Sequence, residues 1–128
     1  WDELALNEED ILQIASDDGA EGIGLKISKN GGLTKCRRQR DICLAAGFTM
    51  SIQDTTGSDI AFAAIVHLGQ TLPKKNLRCI LDCRDMVSVK TADGEFEVTN
   101  GFVSAPKSFG LGITPRLDVL GDPVISYK

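Results

Sequence analysis

The sequence predicts an α/β fold in which parallel strands are joined by helices. Helical and extended patterns alternate from Asn7 to Cys83, the connections between them are short, and the strand segments are largely apolar. Such alternation favours parallel strands with right-handed crossovers, because a helix packed on the sheet carries the chain back to start the next strand.

The elements follow in order. "NEEDILQIASDDGA" predicts a helix: Asn7 is a cap candidate and acidic residues fill the first turn. Ile11, Leu12, Ile14 and Ala15 give it an apolar face, and Gly19 is expected to end it. "EGIGLKIS" predicts a short strand. "GGLTKCRRQRDICLAAG" predicts a second helix, closed by Gly47. "FTMSIQD" is the next strand. "GSDIAFAAIVHLGQTLP" is a third helix, capped by Ser58 or Asp59, with Ile60, Ala61, Ala64, Ile65 and Leu68 at helical spacing and Pro73 beyond its end. "NLRCILDC" is a third strand. After Asp85 the character changes. "MVSVKTADGEFEVTNGFVSAP" carries alternating β-rich runs around "ADGE", a hairpin signal. "FGLGITPRLDVLGDPVISYK" reads as ordered but irregular, and its Leu111, Ile113, Leu117, Val119, Leu120 and Val124 are expected to cover something.

A length of 128 residues suits one domain or part of a larger one. With 42% apolar and 25% charged residues the chain is globular in type. A net charge of −4 argues against a nucleic-acid partner. Lys35, Arg37, Arg38 and Arg40 cluster on the second helix and read as a solvated face. No apolar run is long enough for a membrane span, so no membrane partner is expected. No targeting segment is visible, and the abrupt "WDEL" opening leads us to expect a fragment or a processed chain. Cys36, Cys43, Cys79 and Cys83 form no Cys-x-x-Cys pair, and the single His67 gives no zinc pattern. All four cysteines are expected to be reduced and buried, in a cytoplasmic protein.

In parallel α/β folds the reacting groups sit at the C-terminal ends of strands, where loops and helix N-termini converge. Lys26, Asp54 and Asp82 occupy such ends. Side chains alternate across a strand. In the first strand Ile23, Leu25 and Ile27 then share the helix face, and Lys26 points the other way with Gly22, Gly24 and Ser28. In the third, Leu77, Cys79, Leu81 and Cys83 are assigned to the helices, which turns Asp82 inward beside Ile80. In the middle strand Phe48, Met50 and Ile52 want the helices. Gln53 then points inward with Asp54 at the edge, and the two remain rivals for one role. A lysine beside carboxylates in a semi-enclosed site can move protons; a strand-end lysine also reaches readily for water. The glycine pair of "KNGG" can cradle an anion at a helix N-terminus or simply make a tight turn.

The stretch "IGLKISKNGGLTKCRRQRDICLAAGFTMSIQDTTGSDIAFAAIVHLGQTLP" resembles the sixth strand to the seventh helix of the enolase superfamily, in its mandelate racemase and muconate lactonizing branch. "WDEL" resembles that branch's strand-five Asp-Glu motif. "RCILDCRDM", "KTADGEFEV" and "GLGITPRLDVLGDPVISY" resemble its hydroxyproline dehydratases and proline-betaine epimerases. The resemblance implies the C-terminal half of a (β/α)8 TIM-type barrel plus a C-terminal segment returning to a capping domain. Residues 1–85 would hold barrel strands five to eight, and residues 86–128 the β-rich and irregular capping segment. A full barrel needs about 250 residues, so the strand-two lysine and the first two metal ligands would lie elsewhere. It further implies a magnesium-dependent dehydratase acting on a proline-type amino acid such as cis-3-hydroxy-L-proline through an enediolate. Lys26 would be one of two acid/base lysines, Asp2 a ligand of Mg2+, and Asp82, with Asp54 or Gln53, the grip on the small-molecule substrate. The full-length form is expected to be a homo-oligomer. The alternatives are a proline-betaine 2-epimerase and a non-catalytic half-barrel.

Overall fold

A computed structural model describes residues 1–55, 57–94 and 96–127. Its centre is a parallel sheet of β1 (Gly22–Lys26), β2 (Thr49–Gln53) and β3 (Leu77–Ile80) in the order β1-β2-β3. The helices α1 (Glu8–Ser16), α2 (Leu33–Ala45) and α3 (Asp59–Gln70) alternate with the strands. Ile11, Leu25, Met50, Ile52, Ile65 and Val66 form a buried core between helices and sheet. At the outer edge of β1, the Trp1 amine donates to the Gly22 carbonyl at 2.9 Å and the Gly24 amide donates to the Trp1 carbonyl at 2.8 Å. That is the pattern of one rung of a parallel ladder, so the chain start lies beside β1 as a fourth strand would.

Local chemistry explains the element ends. Asn7 and Asp10 form a reciprocal capping box at α1, and the Ser58 hydroxyl accepts the Ala61 amide at α3. Gly47, with φ of 80°, closes α2 as expected, with the Phe48 amide donating to the Cys43 carbonyl. The end of α1 differs from expectation. Asp18 takes the left-handed position with φ of 49°, and Gly19 follows it, its amide donating to the Ile14 carbonyl. An aspartate tolerates that region better than most residues.

The alternation argument holds for β1 and β2, where Ile23, Leu25, Met50 and Ile52 are buried. It fails in β3. The register with β2 slips between Met50 and Ser51, so Leu77 pairs with Met50 but Cys79 with Ser51. This irregularity puts Leu77 and Ile80 against the core, three residues apart. Cys79 and Leu81 are therefore exposed, contrary to their expected burial, whereas Cys36, Cys43 and Cys83 are buried; all four thiols are free. Asp82 likewise does not share an inward face with Ile80.

Beyond a short 3-10 turn at Arg84–Met86, the C-terminal segment is mostly irregular. The expected hairpin at "ADGE" is replaced by a long-range pair. β4 (Ala92–Asp93) runs antiparallel to β5 (Thr114–Pro115), with α4 (Leu117–Leu120) after it; Glu95 of the motif lies outside the described residues. The local turn forms instead at Asn100-Gly101, with φ of 52° and 78°, closed by the Thr99–Phe102 bridge. Two successive positive φ values match the turn type that suits a hairpin. Leu111 and Ile113 are half-buried, but Leu117, Val119, Leu120 and Val124 are exposed, so they cover none of this chain's core. Among the described residues no helix is long and apolar enough to cross a membrane.

Candidate functional site

The face of the sheet turned away from the helices is small and polar. It presents Gly22, Gly24 and Lys26 from β1 and Thr49, Ser51 and Gln53 from β2, in register. Gly24 is needed there. A Cβ at that position would lie 2.6 Å from Asp2 Oδ1 and 3.0 Å from Gln53 Nε2, so the bare backbone admits both side chains. Asp2, Gly24, Ser51, Gln53 and Arg78 border a cavity of about 200 Å³.

Lys26 is the buried cation of this face, with 9% of its surface exposed. Its Nζ donates to Asp2 Oδ2 at 3.1 Å and to the Glu3 carboxylate, whose other oxygen takes Lys29 Nζ. The hydrogen bond from Lys26, then that from Lys29, hold the Glu3 carboxyl down at about 2. In return the Glu3 hydrogen bond raises the Lys26 pKa; burial opposes this and Asp2 reinforces it. Lys26 in this arrangement carries its proton at neutral pH.

The strand order brings Lys26, Gln53 and Asp82 to one end of the sheet, because all three close or follow parallel neighbours. Gln53 is the one beside Asp2. Asp54 follows it, buried. The loops after β1 and β2 meet through the Ser28 and Thr55 hydroxyls at 2.6 Å. Asp82 lines a second cavity of about 510 Å³ together with Asp59, Arg84 and Asp85. Arg84 grips both Asp82 oxygens, at 2.9 and 2.7 Å, and lies 3.8 Å over the Phe62 ring. The Arg84 hydrogen bond lowers the Asp82 pKa, and Asp82 raises that of Arg84. This cavity is the larger, but its Arg84 is already paired bidentately with Asp82; Asp2, which Lys26 Nζ contacts, and Gln53 border the smaller one.

Sequence reasoning did not single out Glu3, Lys29, Asn30, Arg78 or Arg84. The first two had a signal, since Glu3 adjoins Asp2 and Lys29 lies one turn past Lys26. Arg84 follows Asp82 by two residues, but only the turn at Arg84–Met86 folds it back.

Asp2 fits a hard cation as one oxygen ligand: its Oδ1 faces the space over Gly24 and its side chain is half-exposed. Among the described residues no group of three or more His, Cys, Asp or Glu is placed to hold a metal ion.

The family model for the enolase C-terminal domain-like family matches residues 1–119. The cis-3-hydroxy-L-proline dehydratase of Roseibium aggregatum is 40% identical over 127 residues, which is 99% of this chain and 35% of that protein. A crystal structure from Aspergillus oryzae, assigned to the mandelate racemase/muconate lactonizing enzymes, is 69% identical with a TM-score of 0.93, covering 98% of this chain and 35% of that one. A member of the enolase superfamily from Roseovarius nubinhibens ISM, complexed with magnesium, is 31% identical with a TM-score of 0.89, covering 98% and 35%. The chain thus spans about a third of the length of these relatives.

Proposed function

The chain belongs to the enolase C-terminal domain-like family, and on that premise we propose that it forms part of a magnesium-dependent lyase removing the α-proton of a proline-type amino acid, with cis-3-hydroxy-L-proline as substrate. The observation that carries the reading is the Lys26 ammonium, buried at the C-terminal end of β1 and 3.1 Å from the Asp2 carboxylate. The dehydratase relative supports the substrate, and the magnesium-bound relative supports the cation. In this reading residues 1–85 are the barrel part and residues 86–128 the capping part.

A proton beside a carboxylate is a weak acid, because its loss leaves an enediolate with two negative charges. Magnesium, when bound, supplies the positive charge that stabilises that dianion; lysine or histidine bases with magnesium are the described practice of this superfamily. Asp2 would hold it together with ligands outside this sequence. Lys26 takes or gives the proton at Nζ on one face of the α-carbon. Loss of the α-proton and then of the 3-hydroxyl as water leaves a cyclic enamine that tautomerises to the imine. Gln53 and Asp54 belong to the substrate rim. Asp82 holds the ring ammonium through Oδ2, which keeps a second acceptor position beyond the bond from Arg84 Nη2, while Oδ1 already accepts both the Arg84 amide and its Nε.

The test is to incubate the full-length protein carrying this chain with cis-3-hydroxy-L-proline and magnesium in deuterated water, followed by NMR. Imine formation is the expected result. Lys26→Ala should cut turnover by about 10²–10⁴-fold, the usual cost of losing a general acid or base. α-Deuterium incorporation should survive only for the enantiomer served by an opposing lysine. Epimerised betaine without imine would favour the epimerase alternative, and wild-type turnover in Lys26→Ala would return Lys26 to the role of a solvated strand-end lysine.

A further inference from the structure

Asn30 lies outside the reacting face, yet it is one of the most buried polar residues, with 3% exposed. Its Oδ1 accepts the Lys26 amide at 3.0 Å. Its Nδ2 donates to the Ala5 carbonyl at 2.7 Å and to Gln39 Oε1 at 2.8 Å. Gln39, fully buried on α2, returns a hydrogen bond from Nε2 to the Asn30 carbonyl at 3.3 Å and another to Glu8 at 3.4 Å. Both amide protons of Asn30 and its oxygen are therefore used. The three tied points are the backbone of Lys26 itself, the backbone two residues after Glu3, and the middle of α2.

Lys26 and the Asp2–Glu3 pair are 24 and 23 residues apart along the chain, with α1 between them. Their side chains meet from two separate backbones, so the distance between them depends on what fixes those backbones to each other. The Trp1 backbone bonds to Gly22 and Gly24 fix the side before Asp2, and the rigid planar amide of Asn30 spans the gap on the side after Glu3, at Ala5. Resting on the functional reading above, we infer that Asn30 is a positioning residue, whose side chain sets the placement of Lys26 against the Asp2–Glu3 carboxylates. A misplacement of about 1 Å at a reacting group can cost about 10²-fold in rate, which gives this tie catalytic consequence beyond its share of stability.

Three variants of the full-length protein separate the roles. Asn30→Asp keeps the shape and the acceptor for the Lys26 amide but sets an oxygen against the Ala5 carbonyl, cutting the tie to the Asp2–Glu3 loop. Asn30→Ala cuts all three ties. Gln39→Glu keeps the oxygen that accepts Asn30 Nδ2 and removes only the Nε2 donor to the Asn30 carbonyl and Glu8, leaving the bonds to the Lys26 amide and the Ala5 carbonyl in place. With all proteins assayed below their melting temperatures, Asn30→Asp and Asn30→Ala should lose about 10–100-fold in kcat with KM near wild type, whereas Gln39→Glu should melt lower and keep kcat. Equal kcat in Asn30→Asp and wild type, a parallel fall in all three variants, or an Asn30→Asp protein that does not fold would overturn the inference. A wild type without α-proton exchange defeats the functional reading alone. The tie is then read from backbone hydrogen exchange: Asn30→Asp should speed exchange at residues 3–6 and spare residues 26–30, and unchanged exchange at residues 3–6 would overturn it.

Discussion

The parallel unit and the C-terminal segment treat apolar side chains in opposite ways. Leu25, Met50, Ile52 and Val66 are fully buried in the first, while Phe102, Phe109, Leu117 and Val124 of the second are each at least 72% exposed. The first unit carries its own core. The second is fastened along α3 at spaced points: Asp59 accepts from Thr91 and Ala92, Phe62 meets Phe96 edge-on at 5.5 Å, His67 Nε2 donates to the Leu111 carbonyl at 3.1 Å, and Gln70 accepts the Ala105 amide at 2.7 Å. One helix thus serves two purposes. Its inner face completes the core, and its ends and outer side hold a segment that contributes few apolar contacts of its own.

The widest separation of the two regions should come from Ile52→Ala. Ile52 is fully buried in the central strand, between Leu25 and Ile80 in register. Its truncation should cost about 2–5 kcal/mol and lower the midpoint of urea unfolding for the whole chain. A loss under half of that would mean that the sheet is not the stabilising centre.

Asp59→Ala should act on the junction. The Asp59 carboxylate accepts the Thr91 amide at 2.7 Å, the Thr91 hydroxyl at 3.2 Å and the Ala92 amide at 3.3 Å. Hydrogen bonds to a charged group contribute about 1.5–3 kcal/mol. Hydrogen exchange should quicken across residues 91–93 and 113–116 and stay slow in β1 and β2. Burial pushes the Asp59 pKa up, but the Thr91 and Ala92 donors, with Arg84 nearby, outweigh it and leave it lowered. A lowered carboxylate stabilises above its unfolded value, here 3.8, and loses that contribution as pH falls through the folded value. Acid should therefore release residues 91–92 in the wild type and have no such effect in Asp59→Ala. Equal acid release in both proteins would assign the junction to other contacts.

The same contrast governs what was legible in the sequence. The parallel unit is written in local signals: the Asn7 cap, Gly47 at its left-handed position, and the alternation that buries Met50 and Ile52. Lys26 was legible because β1 is regular, so that its parity against Ile23 and Leu25 gave its direction. β3 was not, because the slip at Met50/Ser51 is a property of two strands together and leaves no mark in either one. That slip exposed Cys79, against its expected burial. The β4–β5 pair joins residues 92–93 to 114–115 across a long loop, which no short motif announces. Asn30 and Gln39 look like ordinary polar residues in a turn and a helix. Their burial becomes visible only when α1 closes over them.

The smallest effect should come from Asp18→Gly, which tests whether the parallel unit obeys local rules even where its residue choice departs from them. Asp18 holds φ of 49° at the end of α1, where glycine carries no steric penalty. Replacement relieves the contact between Cβ and the backbone but makes the unfolded chain more flexible, and the two effects oppose each other. Left-handed geometry costs an ordinary residue about 1–2 kcal/mol and aspartate less, so the net gain should be about 0.5 kcal/mol. It should appear as a higher unfolding midpoint with unchanged denaturant sensitivity, because no buried surface changes. Hydrogen exchange at residues 91–116 should not respond, since that segment is fastened to α3 and not to α1. A loss of stability in Asp18→Gly would show that the aspartate side chain contributes more than its backbone strain removes, and that the end of α1 is held by a side-chain contact as the C-terminal segment is.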